Sequence, residues 1–179
     1  MSFWSDQQME PKRQFRFLIE FTPPGQDSLQ ILAKSVDRPS YTVSSNSHAF
    51  FNHTFYYPGR VTWNSITLTL VDAVSPNASK IFYDYLGKIG YDNDPKSAAG
   101  ATSKTITKES ANEGLGLFKI LEKGTKPGSN KTITVGTWTL QNAFITEVNF
   151  GSHSYDSEDM VDVTITLQYD WATYTAGKG

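Results

Sequence analysis

The stretch that decides the fold comes late in the sequence: TITVGTWTLQ at residues 132–141, FITEVNF at 144–150 and MVDVTITLQYDW at 160–171. Apolar and polar residues alternate along these segments, which is typical of β-strands with one buried face. Residues 132–177 also include no Lys or Arg and six acids: Glu147, Asp156, Glu158, Asp159, Asp162 and Asp170. We therefore predict a sheet with one apolar face and one acidic face.

The composition indicates a globular protein of a single domain covering residues 1–179. The chain is long enough to bury a real core, and its 38% hydrophobic and 19% charged content is outside the disordered range. Its net charge of −2 gives no overall attraction to nucleic acid or to anionic membranes. The absence of cysteine excludes disulfides, thiolate nucleophiles and Cys-ligated zinc.

The start of the sequence, MSFWSD, lacks the basic and apolar regions of a signal peptide, and no apolar run is long enough for a membrane helix. We therefore expect a protein made in a cytoplasm and not inserted into a membrane.

Several further segments are predicted to be strands. The alternating or β-branched runs are residues 15–21, 29–36, 61–71 and 115–121. An aromatic run at 49–57 ends at Pro58-Gly59, so residues 44–61 are predicted to form an extended hairpin that turns near Asn52.

One helix is predicted, at about residues 76–90. Ser75 is a suitable N-cap, Pro76 suits the first turn, and Gly90 suits the C-terminal stop. The polar segment at about 92–114 is predicted to be a long loop. The fold class is therefore mainly β: an antiparallel β-barrel or sandwich with one flanking helix.

The residues do not indicate a reacting centre, so we expect neither an enzyme nor a bound metal or cofactor. His48, His53 and His153 have no metal-ligand spacing, and the acids near Asp156 lack the pattern of a calcium loop. Gly136-Thr137-Trp138 matches the Gly-x-Trp of lipocalins but lies late in the chain, so we interpret Trp138 as a packing residue.

The order of several motifs resembles the tail tube proteins of contractile-tailed bacteriophages, over roughly residues 14–171. The motifs are the opening strand, KSVDRP at 34–39, YPGRVTW at 57–63, LTLVDA at 68–73, IFYDYL at 81–86, the Gly-x-Trp strand, FITEV at 144–148 and VTITLQYDW at 163–171. The basic segment 92–131 and the tail 172–179 depart from that pattern.

The resemblance implies a structural virion protein of the tail, assembled in the host bacterial cytoplasm. It implies hexameric rings that stack into the inner tube, through which the genome passes without specific binding of DNA. The implied partners are copies of itself, the tail sheath protein, and the baseplate and tape-measure proteins.

Two sets of residues are candidates for these contacts. The aromatic side chains of the hairpin are too costly for a monomer to expose together, and they are candidates for contacts between subunits or rings: Phe50, Phe51, Phe55, Tyr56, Tyr57 and Trp63. Three acids are candidates for a channel wall that repels the DNA backbone: Glu147, Asp159 and Asp162.

Three alternatives stay open. A baseplate protein that initiates the tube shares the fold, as do tube subunits of type VI secretion and other contractile injection systems. A small-ligand-binding β-barrel would also be rich in aromatic residues. Particle size separates these classes, because a ligand-binding barrel is a monomer whereas a tube protein forms rings or filaments.

Overall fold

The computed structural model describes residues 12–22, 29–31, 33–91, 105–126, 129, 131–156 and 158–177. Its strands are β1 (Phe17–Thr22), β2 (Leu29–Ile31), β3 (Ala33–Val36), β4 (Tyr41–Phe50), β5 (His53–Trp63), β6 (Ile66–Val71), β7 (Leu117–Thr125), β8 (Thr132–Gln141), β9 (Phe144–Asn149), β10 (Asp162–Gln168) and β11 (Trp171–Ala176). Its helices are α1 (Ala78–Lys88) and α2 (Lys108–Leu115). The protein is mainly β, as predicted.

The strands form three antiparallel sheets. A five-stranded sheet has the order β11-β8-β7-β1-β2, a four-stranded sheet has the order β3-β6-β10-β9, and β4 pairs with β5 alone. No described strand pair joins one sheet to another, so the described strands form a sandwich-like arrangement rather than a closed barrel. The outer strands of the four-stranded sheet are β3 and β9.

The core lies where the apolar faces of the two larger sheets and the helices meet. Alternate residues of β10, Val163, Ile165 and Leu167, are almost fully buried, as the period of two predicts. The other large core side chains that are almost fully buried are Ile19, Ile66, Leu68, Leu70, Phe118, Ile120 and Leu140. One hydrophobic cluster therefore connects both sheets.

Helix α1 lies where the apolar stripe predicts a helix, but its start differs. The N-cap is Asn77, whose side chain accepts a hydrogen bond from the Lys80 N–H at 2.6 Å. Asp72 also accepts hydrogen bonds from the N–H groups of Ala78 and Ser79. Two side-chain acceptors thus satisfy the first turn, which is why the helix begins after Ser75-Pro76.

A second helix, α2, is present where the sequence predicts the end of a long loop. Its capping box pairs the Thr107 hydroxyl with the Ser110 N–H and the Ser110 hydroxyl with the Thr107 N–H, both at 3.1 Å. Its Ala111 and Leu115 are buried in the core. The rest of the predicted loop, residues 92–104, lies outside the described residues.

Candidate assembly surface

The β4–β5 hairpin is the largest exposed element of the described chain. All ten residues of β4 are exposed, and so are all residues of β5 before Trp63. At about 3.3 Å per residue, ten residues span about 33 Å. A two-stranded sheet of this length without a layer against either face is marginally stable in water, so it requires stabilisation from elsewhere.

The register of the hairpin places aromatic side chains on both of its faces. His48 pairs with Phe55 and Asn46 pairs with Tyr57, so these residues share one face with Phe50. Tyr56 pairs with Ser47 on the other face. These aromatic side chains are between 50% and 72% exposed, so neither face of the hairpin is covered by the described chain.

The tip of the hairpin is a two-residue turn at Phe51 and Asn52. Phe51 has a φ of 52°, an unusual conformation for a bulky residue, and its side chain is 88% exposed. Its ring packs edge-to-face on Phe50, with 4.5 Å between centroids. The tip therefore presents a pair of aromatic rings directly to solvent.

The base of the hairpin is fixed to the core, and Trp63 has a different position from the other predicted contact residues. Trp63 is half-buried, and its ring lies 5.4 Å from that of Tyr41 and 6.0 Å from that of the buried Tyr169. Asn64 donates hydrogen bonds from its backbone to the Ser40 carbonyl and from its amide to the Ser40 hydroxyl. Trp63 thus anchors the hairpin within its own chain.

A bulge between the base and the tip sets the direction of the hairpin. Val43 pairs with Val61 and Ser45 pairs with Pro58, so β5 contains one extra residue. The Ser44 hydroxyl accepts a hydrogen bond from the Arg60 N–H at 2.9 Å. A side chain at Gly59 would place its Cβ 2.3 Å from that hydroxyl oxygen, so only glycine fits there without a shift.

The predicted acidic residues lie on or beside the outer face of the four-stranded sheet. Glu147 is exposed on β9 opposite Thr166, on the face away from the core. Asp162 lies on the same face at the start of β10, but Lys34 of β3 donates a hydrogen bond to it at 2.6 Å. Asp159 is exposed in the loop before β10.

The remaining residues on this outer face are mainly small and polar. They include Thr67, Thr69, Thr164, Thr166, Asn149 and Gln168, and the apolar Val71 lies opposite Asp162 on the same face. Because the Lys34–Asp162 pair is neutral, the acidic character of this face comes mainly from Glu147.

Comparison with known proteins shows which solved structures have a similar fold. No protein-family model and no curated protein matches the sequence. Three solved structures with similar chains are the anti-feeding prophage baseplate, the sheath/tube terminator and the sheath-tube complex of an extracellular contractile injection system, PVC. Their TM-scores are 0.66, 0.63 and 0.61, with sequence identities of 16%, 18% and 18%.

These alignments cover 94%, 94% and 98% of this chain and 97%, 99% and 99% of the other. The chain has a tail-tube-like fold. A structure described as a type six secretion system protein is also similar, with a TM-score of 0.51 and 8% identity over 92% of this chain and 90% of that one. At these identities the likeness concerns the fold, as the sequence motifs predict.

The tail-tube-like fold also contains a basic groove that the sequence analysis does not predict. It lies between the start of β1 and the outer strand β3 and has a volume of about 630 Å³. We define the basic groove by its charged lining residues, six cations and two acids: Lys12, Arg13, Arg16, Lys34, Arg38, Lys123, Asp37 and Glu122. The sequence gives no signal for it because its cations come from three separate segments.

The acid at the centre of the basic groove is Glu122. Its side chain is 12% exposed, and it accepts a hydrogen bond from Lys12 and pairs with Arg38 at 2.8 Å. Burial raises the pKa of this carboxyl, but the Lys12 hydrogen bond and the Arg38 charge outweigh burial and lower the pKa below its usual value. Glu122 is therefore ionised at neutral pH and holds the two cations in place.

Two other features bear on the function of this tail-tube-like fold. Neither described helix is long and apolar enough to cross a lipid bilayer. Within the described residues, no group of three or more His, Asp and Glu side chains is placed to hold a metal ion.

Proposed function

We propose that this protein is a structural subunit of the inner tube of a contractile, phage-like machine, and that its copies assemble as stacked hexameric rings. The observation that carries the proposal is the β4–β5 hairpin, which is anchored at its base and exposed on both faces. A surface of this kind needs a partner, and further copies of the same chain supply one without any additional component.

The energy available to such an assembly is substantial. Complete burial of a large apolar side chain contributes about 1.5 to 3 kcal/mol, and the hairpin aromatics begin half-exposed or more, so each ring covered by a neighbour contributes about 1 to 2 kcal/mol. Six subunits repeat this contribution around a ring. The outer strands β3 and β9 add backbone groups that can pair with a neighbouring copy, and ring closure leaves no free edge.

In this proposal the outer face of the four-stranded sheet forms the channel wall. That face is rich in threonine. Among the described residues, each of its edge strands, β3 and β9, has one side without a strand partner, so six copies can join the sheets into a continuous lining. Its one basic side chain, Lys34, is neutralised by Asp162. A wall with little free positive charge lets a DNA backbone slide instead of retaining it.

A tube subunit of a contractile injection system is the second candidate. Three solved structures with TM-scores above 0.6 come from the anti-feeding prophage and the injection system PVC. In that case the partners include a sheath and a baseplate, but the tube does not deliver a genome. Labelled antibody against this chain distinguishes the two: it binds tails attached to capsids in one case and particles without heads in the other.

The hairpin proposal is tested by replacing Phe50, Phe51 and Phe55 together with Ser. We expect a folded monomer, because these side chains lie outside the core, and a loss of rings and filaments because their burial no longer stabilises assembly. Negative-stain imaging and light scattering measure assembly, and circular dichroism measures folding.

The matched control replaces Tyr83, which is 52% exposed on α1 and far from the hairpin in sequence, with Ser. We expect rings and filaments to form as in the unaltered protein. A triple variant that assembles normally would contradict the hairpin assignment, and an unaltered protein that is monomeric at all concentrations would contradict the tube function itself.

A further inference from the structure

The basic groove lies beside the outer strand β3 of the four-stranded sheet, and an exposed acidic loop begins at the end of the other outer strand, β9. The groove is bounded by residues 34–38, in and just after the outer strand β3. The loop, residues 150–161, connects the other outer strand, β9, to β10. An arrangement that sets the β9 edge of one copy beside the β3 edge of the next brings the start of the loop toward the groove of that neighbour.

The charges of the two surfaces are complementary. The groove is lined by six cations and two acids, and one of the cations, Lys34, is paired with Asp162 outside the groove, so five cations face two acids. The loop contains Asp156 and Glu158, which are exposed and form no ion pair within the described part of the chain. Asp159 follows them, but it already interacts electrostatically with Lys34 of its own chain. Asp156 and Glu158 are thus the carboxylates available to a partner.

The groove has the shape and chemistry to receive such a loop. Its volume of about 630 Å³ accommodates several side chains, and Phe15 and Phe17 line it beside the cations. Because the partly buried Glu122 pairs with Lys12 and Arg38, these two cations are held in position before a partner arrives. Fixed charges lose little conformational entropy on binding, which favours recognition of a carboxylate-bearing segment.

We propose that the basic groove binds the acidic loop of the adjacent copy in the same ring, with Asp156 and Glu158 as the recognised carboxylates. This inference rests on the proposed tube function and adds to it a contact that fixes which edge of one copy faces which edge of the next. The contact is head-to-tail, so each copy uses its groove once and its loop once, and the set closes into a ring.

A charge-reversal experiment on the full chain tests the inference. In the variant Asp156→Lys/Glu158→Lys, we expect the concentration needed for ring formation at low salt to rise about tenfold or more, since attraction becomes repulsion. The matched control Glu109→Lys/Glu113→Lys alters two exposed acids of α2 and changes the net charge equally. We expect ring formation by the control to stay within about twofold of the unaltered protein.

A rescue variant makes the test specific for the groove. Adding Arg13→Glu and Lys123→Glu to the loop variant reverses both surfaces and leaves the Arg38–Glu122 pair in place, and we expect ring formation to recover most of the lost affinity. Ring formation is measured by mass photometry and light scattering, and circular dichroism verifies that each variant is folded.

The inference is overturned if the loop variant assembles like the unaltered protein, if the control is impaired to the same extent, or if the rescue variant is no better than the loop variant. All three results presuppose an unaltered protein that forms rings. If the unaltered protein never forms rings, the proposed tube function is wrong as well. Failure of the groove–loop contact can therefore be distinguished from failure of the tube function.

Discussion

At the scale of single residues, Glu122 shows how this fold uses a partly buried charge. Glu122 lies on β7, the central strand of the five-stranded sheet. Its carboxylate lies between Lys12 and Arg38, and the Tyr174 hydroxyl is 3.3 Å away. The side chains of Lys12 and Arg38 are at least half-exposed, whereas that of Glu122 is 12% exposed. The stabilisation therefore depends on the charge of Glu122 more than on either cation.

This arrangement predicts a pH-dependent stability. Because the pKa of Glu122 is lower in the folded protein than in the unfolded chain, its charge stabilises the fold above about pH 4.3, and this contribution is lost as the pH falls through the folded pKa. We expect Glu122→Gln to lower the free energy of unfolding by about 1 kcal/mol at pH 7, and by less at pH 3.5. Urea unfolding, measured in the monomeric hairpin variant, gives both values.

The control for this measurement is Glu147→Gln, which changes an exposed carboxylate on β9. We expect its free energy of unfolding to differ by less than about 0.5 kcal/mol at both pH values. If the loss caused by Glu122→Gln were the same at pH 7 and pH 3.5, then shape rather than charge would be its cause.

At the scale of elements, the bulge in the hairpin predicts the effect of a single methyl group. Gly59→Ala places a Cβ against the Ser44 hydroxyl, which displaces the hydrogen bond from the Arg60 N–H and changes the direction of the outer hairpin. We expect the core to keep its melting temperature within a few degrees, whereas the concentration needed for assembly rises several-fold. Thermal melts and light scattering measure the two effects.

The double variant Ser44→Ala/Gly59→Ala is the control for this steric argument, because it removes the oxygen nearest to the new Cβ. We expect assembly to recover partly, since the backbone carbonyl of Ser44 is still 3.1 Å from that position. An equal defect in the single and double variants would show that the contact with Ser44 is not the cause.

The same elements show what the sequence allows one to predict. The alternation in β10, with Val163, Ile165 and Leu167 buried, is visible in the sequence because a strand with one buried face repeats every two residues. Helix α2 is not visible in the sequence, because its eight residues KESANEGL include only two buried apolar positions and follow a polar segment. The start of α1 also differs from prediction, because Asp72 caps it from outside the helix.

The candidate surfaces also differ in how far the sequence predicts them. The aromatic content of the hairpin is local in sequence, so the sequence reveals it. The Lys12–Glu122 contact joins residues 110 positions apart, and only the pairing of β1 with β7 in the five-stranded sheet brings them together. For the same reason, the sequence shows that Trp63 is aromatic but does not show that it packs on Tyr169 of its own chain.

At the scale of the whole molecule, the proposed channel wall makes a prediction about passage through the tube. Glu147→Lys places a free positive charge on the outer face of the four-stranded sheet in every copy, which is six per ring in a hexamer. We expect tubes to form normally but DNA to leave more slowly, because each cation adds a phosphate contact. Timed release of labelled DNA from particles that carry the variant measures this effect.

The control is Glu113→Lys, an equal charge change on the exposed face of α2. We expect release to be unaffected, and we expect the delay caused by Glu147→Lys to shrink as salt is raised. An unchanged rate of release with Glu147→Lys would place this face of the sheet elsewhere than on the channel.

The hairpin also has a consequence for a copy that has not yet joined a neighbour. Its aromatic side chains lie mainly on β5, whereas β4 between Val43 and Phe50 is composed of Ser, Asn, His and Ala. In the outer part of the hairpin, Phe55, Tyr56 and Tyr57 thus stand opposite His48, Ser47 and Asn46, which are small or hydrophilic and keep water close to the hairpin. Such a pattern slows non-specific aggregation of newly made copies. The hairpin therefore stays hydrated until a complementary surface displaces that water.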